Sequence, residues 1–154
     1  MKIRSQDQEI TSDLLDYLKN SPAVMEVPVA AAIYDQNLKQ VAISHNLREL
    51  TSDPSAHAEV VALRKAGQMF GNWNLEGCSI YVTLEPCLMC AGAILQSKIS
   101  RVVFGAFNPE TTSQSSVELL RNSSPQLEVV GGVNEEECST YLTQWFSEQR
   151  KIKR

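Results

Sequence analysis

The chain has 154 residues, 43% of them hydrophobic, and a formal net charge of −4, which fits one domain of common size over 1–154 with enough apolar side chains for a core. The acidic total lowers the expectation of nucleic-acid binding, although a local basic patch can override it. Four cysteines, charged residues where a secretory leader needs an apolar run, and no apolar stretch near the ~18 residues of a membrane span point to a reducing, cytoplasmic setting with no membrane and no disulfide framework.

Residues 6–19 place Ile10, Leu14, Leu15 and Leu18 at helical spacing, and Ser21-Pro22 ends that helix. VPVAAAIY (27–34) reads as a buried strand, Asp35-Gln36-Asn37 as a turn, and KQVAISHN (39–46) as a second strand. The two strands form a hairpin. A helix runs from 56 to about 68, with Ser55 as its N-cap and Gly71 and Asn72 as its break. CSIYVTL (78–84) is a third strand. The next helix runs from Pro86 to Ser97, with proline at its first position. ISRVVFGA (99–106) is a fourth, buried strand, and FNPETTSQSS (107–116) a polar loop. A short helix over 116–121 and a fifth strand, LEVVGG (127–132), follow. Asn134 caps a final amphipathic helix carrying Leu142, Trp145 and Phe146. A hairpin followed by alternating helices and strands predicts an α/β fold of three layers, with helices on both faces of a five-stranded sheet. Strand-to-helix junctions are where such sheets build sites.

Two of those junctions carry chemistry. SAHAEVVAL (55–63) and EPCLMC (85–90) together supply one imidazole, two thiols and one carboxylate. His57, Cys87 and Cys90 are three soft or borderline ligands of the kind zinc takes in a tetrahedron. A catalytic zinc takes three protein ligands and keeps one position for water, which leaves Glu59 as the base for that water. The two thiols, three residues apart at a helix N-terminus, share one face near the positive end of the dipole, which favours thiolate. Glu59 is the awkward member, because residues two apart do not share a helix face. A CxxC pair can instead be a redox couple, and a closed structural site would need a fourth ligand from Cys78, Cys138 or His45. Cys78 opens a buried strand and Cys138 lies in the last helix, so both read as packing residues. His45 reads either as a surface or packing residue or as a pocket wall.

The sequence EVPVAAAIY…HN…DPSAHAEVVALR…CSIYVTLEPCLMCAGAILQSKISRVVFGA resembles the bacterial tRNA adenosine deaminases, and carries the H-x-E…P-C-x-x-C pattern of zinc nucleobase deaminases. The likeness is strong over about 24–106 and weaker in the C-terminal helix. It implies the cytidine-deaminase-like fold with a mixed sheet, a homodimer, one Zn2+ per chain with no organic cofactor, and conversion of the wobble adenosine in a tRNA anticodon loop to inosine. His57, Cys87 and Cys90 match the family's ligands and Glu59 its proton shuttle. Asn46 matches a residue that hydrogen-bonds the base, and Ala58, Leu84, Glu85, Pro86 and Asn108 are the further substrate-binding positions. The basic tail, Arg150, Lys151, Lys153 and Arg154, is the expected contact to the RNA backbone. Two positions depart from the pattern: Asn108 stands where the family has an acidic residue, without the lysine and glycines that follow there, and Ala30 replaces a glycine. Two other functions compete. A nucleobase or nucleoside deaminase, of guanine or cytosine type, would share the metal site and differ in the outer pocket. A non-catalytic zinc subunit that only binds RNA would be expected to lack Glu59.

Overall fold

The computed structural model describes residues 2–21, 25–109 and 115–152. Its elements are α1 (Ser5–Lys19), β1 (Ala30–Tyr34), β2 (Gln40–His45), α2 (Arg48–Thr51), α3 (Ala58–Phe70), β3 (Ser79–Leu84), α4 (Leu88–Ser97), β4 (Arg101–Ala106), α5 (Ser116–Ser123), β5 (Glu128–Val130) and α6 (Glu135–Ile152). The strand order is β2-β1-β3-β4-β5. β1 is antiparallel to both β2 and β3, while β3–β4 and β4–β5 are parallel. The sheet is therefore mixed, as the resemblance implied.

Alternation along the strands divides the core in two. Ala31, Ile33, Ile80, Val82, Val102, Phe104 and Val129 face one side and pack with Ala62 and Ala66 of α3, Ala91 and Ile94 of α4, and Leu120 of α5. Ala30, Ala32, Tyr34, Tyr81, Val103 and Val130 face the other, with Ile10, Leu14, Leu15 and Leu18 of α1 and Cys138 of α6. On α3 the buried stripe is Ala58, Glu59, Ala62 and Ala66, mostly small side chains that let the helix lie close to the sheet. Close approach recurs at Gly105, where a Cβ would collide with the Cys138 sulfur and meet the Thr83 carbonyl oxygen at 2.7 Å.

A polar tie crosses the second core layer. Arg101 donates twice to Asp7, from Nη1 at 2.7 Å and Nη2 at 2.8 Å, and the Tyr81 hydroxyl donates to Asp7 at 3.0 Å. Arg101 Nε also lies 3.1 Å from Glu128, an ion-pair contact without hydrogen-bond alignment. Burial alone would raise the Asp7 pKa, but Arg101, the Arg4 backbone N–H and Tyr81 together hold it below the ordinary carboxylate value.

Several boundaries differ from the sequence reading. β1 begins at Ala30, because Val29 N–H turns back to the Val27 carbonyl at 2.9 Å and Pro28 has no N–H for the ladder. β5 stops at Val130, because the chain at Gly131 runs against the Phe104 ring and Gly132 takes φ +82°. α2 is a four-residue helix that the sequence did not suggest. Ser55 is not an N-cap: its hydroxyl and N–H both bond Asp53, and His57 caps α3. Pro86 is likewise outside α4, whose N-cap is Cys87. Asn134 precedes α6 at φ +50°, yet its side-chain amide donates to the Gln8 carbonyl of α1 at 3.0 Å. Ala30 replaces the expected glycine in a fully buried place, its N–H on Thr83 Oγ1 at 3.2 Å. No helix among the described residues is long and apolar enough to cross a membrane.

Candidate active site

β3 and β4 end side by side at Leu84 and Ala106, and β1 starts at the same edge of the sheet. α3 and α4 begin there, so each presents its first turn to one spot. His57 is the N-cap of α3 with φ −64° and ψ 152°. Cys87 is the N-cap of α4 with φ −71° and ψ 173°. Cys90 is in the first turn of α4 and fully buried, and Glu59 is in the first turn of α3 and 4% exposed. The extended backbone at His57 resolves the spacing problem between His57 and Glu59. The rule against i, i+2 convergence holds within a helix, and His57 is outside it.

His57 Nδ1 lies 3.5 Å from Cys87 Sγ and 3.4 Å from Cys90 Sγ, and all three ligand atoms fall within 4.8 Å of one another. Zn–S bonds of about 2.3 Å and Zn–N bonds of about 2.0 Å at tetrahedral angles put sulfur and nitrogen about 3.5 Å apart, which matches. The three ligands and Glu59 shift one another's titration. The Cys90 thiol donates to Cys87, and this outweighs burial to bring Cys87 down to about 4, with help from His57. Cys90 is driven far above the ordinary thiol range by that same bond, by burial and by the Glu59 carboxylate. Burial also raises Glu59, and the bond to Cys87 raises His57 against its own burial. Three of the four groups are thus held toward their protonated forms, and a cation bound by the triad would displace protons from its ligands.

Cys78, Cys138 and His45 are not brought to this group. Cys78 is buried in the first core layer, Cys138 packs against Gly105, and His45 Nδ1 is bonded to the Asn46 carbonyl at 2.9 Å. A closed four-ligand site therefore has no fourth protein ligand among the described residues.

A cavity of 220 Å³ opens beside the triad. Of the sequence-predicted residues, Asn46, Ala58, Leu84, Glu85 and Asn108 line it together with His57, Glu59 and Cys87. Pro86 is not in its wall. Asn46 Oδ1 accepts the Arg48 N–H at 3.2 Å, which leaves the amide N–H pair as the group it can offer a ligand. Glu85 lines the cavity but turns its carboxylate away, toward Asn108 N–H and the Ser116 hydroxyl. Arg150 and Lys151 are exposed on the last turn of α6 and do not reach the cavity, and Lys153 and Arg154 lie outside the described residues. So does 110–114 of the polar loop.

The sequence reading missed Val27, Val29, Arg48, Pro109, Leu142 and Phe146 as wall residues. Leu142 and Phe146 are four apart on α6, so one helix face roofs the cavity, and that spacing was the available signal. Arg48 stands at the start of a helix too short to read from periodicity.

A family model for the cytidine and deoxycytidylate deaminase zinc-binding region matches residues 4–106. The tRNA-specific adenosine deaminase of Bacillus subtilis (strain 168) is 41% identical, the match covering 97% of this chain and 94% of that one. Its counterpart from Haemophilus influenzae is 39% identical over 99% and 91%. A solved structure from work on A-to-I editing by tRNA:A34 deaminases at the wobble position of transfer RNA superposes with a TM-score of 0.73 at 31% identity, over 89% of this chain and 99% of that one.

Proposed function

We propose that this chain, which belongs to the zinc-binding cytidine and deoxycytidylate deaminase family and within it to the tRNA-specific adenosine deaminases, hydrolyses the wobble adenosine of a tRNA anticodon loop to inosine and ammonia. The observation that carries the reading is the buried Glu59 carboxylate set against His57, Cys87 and Cys90 at the floor of a cavity that Asn46 also lines.

His57 Nδ1, Cys87 Sγ and Cys90 Sγ would hold the zinc. Zinc, when bound, lowers the pKa of a coordinated water to about 7 and so provides hydroxide near neutral pH. Glu59 takes the water proton as oxygen bonds to C6 of the adenine ring, and delivers it to N1. Glu59 then takes the remaining proton from the C6 hydroxyl and passes it to the amino group, the C6–N bond breaks, ammonia leaves and C6 becomes a carbonyl. A carboxyl raised by burial suits this traffic, because an acid–base group works best with its pKa near the working pH. Asn46 donates to an acceptor on the base, while Val29, Leu84 and Phe146 hold its faces. A narrow cavity of this kind takes a base that is out of any stack, which a splayed anticodon loop provides and a duplex does not.

The whole of 1–154 serves as one deaminase domain and works in the cytoplasm. It pairs with a second copy through α3, the turn after it and α4, where Met69, Phe70, Trp73, Leu88 and Met89 are each 41–66% exposed. Sedimentation at micromolar protein tests the pairing, and Trp73→Glu should yield monomer.

The decisive experiment incubates the purified protein with an adenosine-containing anticodon-loop RNA and, separately, with free nucleosides and bases. Inosine in the RNA alone supports the reading. Turnover of guanine or cytosine alone sinks it.

A further inference from the structure

Both oxygens of the Glu85 carboxylate are occupied, by partners on opposite sides of one chain segment. Oε1 accepts the Asn108 backbone N–H at 3.2 Å, and Oε2 accepts the Ser116 hydroxyl at 3.1 Å. The Glu85 N–H itself donates to the Ala106 carbonyl at 2.8 Å, which carries the β3–β4 pairing one rung further. Glu85 is 4% exposed and Ser116 fully buried. Among the described residues no cation pairs with Glu85.

A carboxylate offers acceptors only, so it demands a donor on each side and fixes the Ser116 hydroxyl as one. Ser116 is the first residue of α5, whose N-terminus favours an anion. Asn108 and Pro109 are cavity wall. Two residues beyond Glu85 comes Cys87. One side chain thus joins the metal-bearing end of α4 to the substrate wall and to the start of α5.

We propose that Glu85 is a positioning residue for substrate: it sets where Asn108 and Pro109 stand relative to the metal triad, and does not itself contact the base. The proposal rests on the deaminase reading of the site. Its consequence is that changing Glu85 shifts substrate affinity more than the proton transfers of Glu59.

Three variants separate reach from charge. Glu85→Gln keeps the length and one acceptor, and its N–H can donate to the Ser116 hydroxyl, which can accept. Glu85→Asp keeps the charge but is one methylene too short to hold both partners. Glu85→Ala loses both. On an adenosine-containing anticodon-loop RNA, Glu85→Gln should stay within about threefold of the parent kcat/KM, while Glu85→Asp and Glu85→Ala should raise KM roughly tenfold with a smaller fall in kcat. Hydrogen exchange at the Asn108 amide should quicken in the Asp and Ala variants and stay parental in Gln. Zinc content should be parental in all three. A near-parental Asp variant beside an impaired Gln variant overturns the proposal, because charge and not reach would then matter. So does zinc loss in Glu85→Ala, or an Asn108 amide that exchanges no faster there. If the parent deaminates no RNA, the functional reading fails, and the exchange measurement still decides the clamp on its own.

Discussion

His57 and Cys87 hold the same station in two different helices. Each is an N-cap with extended backbone, and their ligand atoms are 3.5 Å apart. The site is thus a meeting of two helix starts, with Cys90 one turn inside. Freshly purified protein should carry one zinc per chain by metal analysis. His57→Ala and Cys87→Ala should lose most of it, whereas Cys78→Ala and Cys138→Ala should keep all of it. A fourth sulfur in the zinc X-ray absorption spectrum contradicts the three-ligand site.

Glu59→Ala should retain zinc and fold while losing roughly 10²–10⁴-fold in turnover, the usual worth of a general acid–base group. Single-turnover inosine formation measures it. A variant within a few-fold of the parent removes Glu59 from the proton traffic.

The Asp7–Arg101 pair predicts a pH-dependent stability. Asp7→Asn leaves Arg101 with the half-buried Glu128 as its remaining carboxylate partner, so the cost should stay below the about 3–5 kcal/mol of a buried charge left with none. The folded pKa of Asp7 is lowered, so its contribution is present above the unfolded value of about 3.9 and is lost as pH falls through the folded value. The Tm gap between parent and variant should therefore be steady from pH 8 to 5 and narrow below about pH 4. A gap that widens on acidification contradicts the sign.

Gly105→Ala forces a Cβ onto the Thr83 carbonyl and the Cys138 sulfur. Overpacking of this kind costs typically about 1–3 kcal/mol, and backbone on one side makes relief difficult. Urea midpoints should fall accordingly. Adding Cys138→Ala should recover only part of the loss, because the Thr83 oxygen stays in place.

Removing residues 150–154 should weaken anticodon-loop RNA binding across sequences. It should also reduce the slope of log affinity against log salt, by about 0.7 for every single-strand phosphate that the tail no longer neutralises. Arg48→Ala, which empties a cation from the cavity wall, should weaken binding through the pocket instead. An unchanged salt slope after truncation takes the tail out of recognition.

What could be read from the sequence follows from how local each cause is. Strands β3 and β4 are apolar runs buried on both faces, and their composition alone announces them. The triad was legible because ligand chemistry restricts residue type so tightly. The caps were misread for a physical reason. Ser55 and Pro86 are good helix-start residues, but Asp53 captures Ser55, and the ligand residues themselves take the N-cap stations. Glu85 lay within the motif, yet its role depends on Asn108 and Ser116, 23 and 31 positions away, which no local pattern encodes. The wall from α6 was half visible as an amphipathic face whose partner only the fold reveals.

The tie from α1 to β4 also has a consequence in time. Asp7 and Arg101 are 94 positions apart in the chain. At a synthesis rate of roughly 5–20 residues per second, about 5–19 seconds pass between their emergence from a ribosome. Throughout that interval the stripe of Leu14, Leu15 and Leu18 has no completed sheet to cover it, and Asp7 has no arginine. The Asp7–Arg101 tie therefore closes late, although β1 and β3, which α1 also covers, emerge earlier. A nascent chain stalled before Arg101 should display α1 to chaperones, and one stalled well after β4 should hide it.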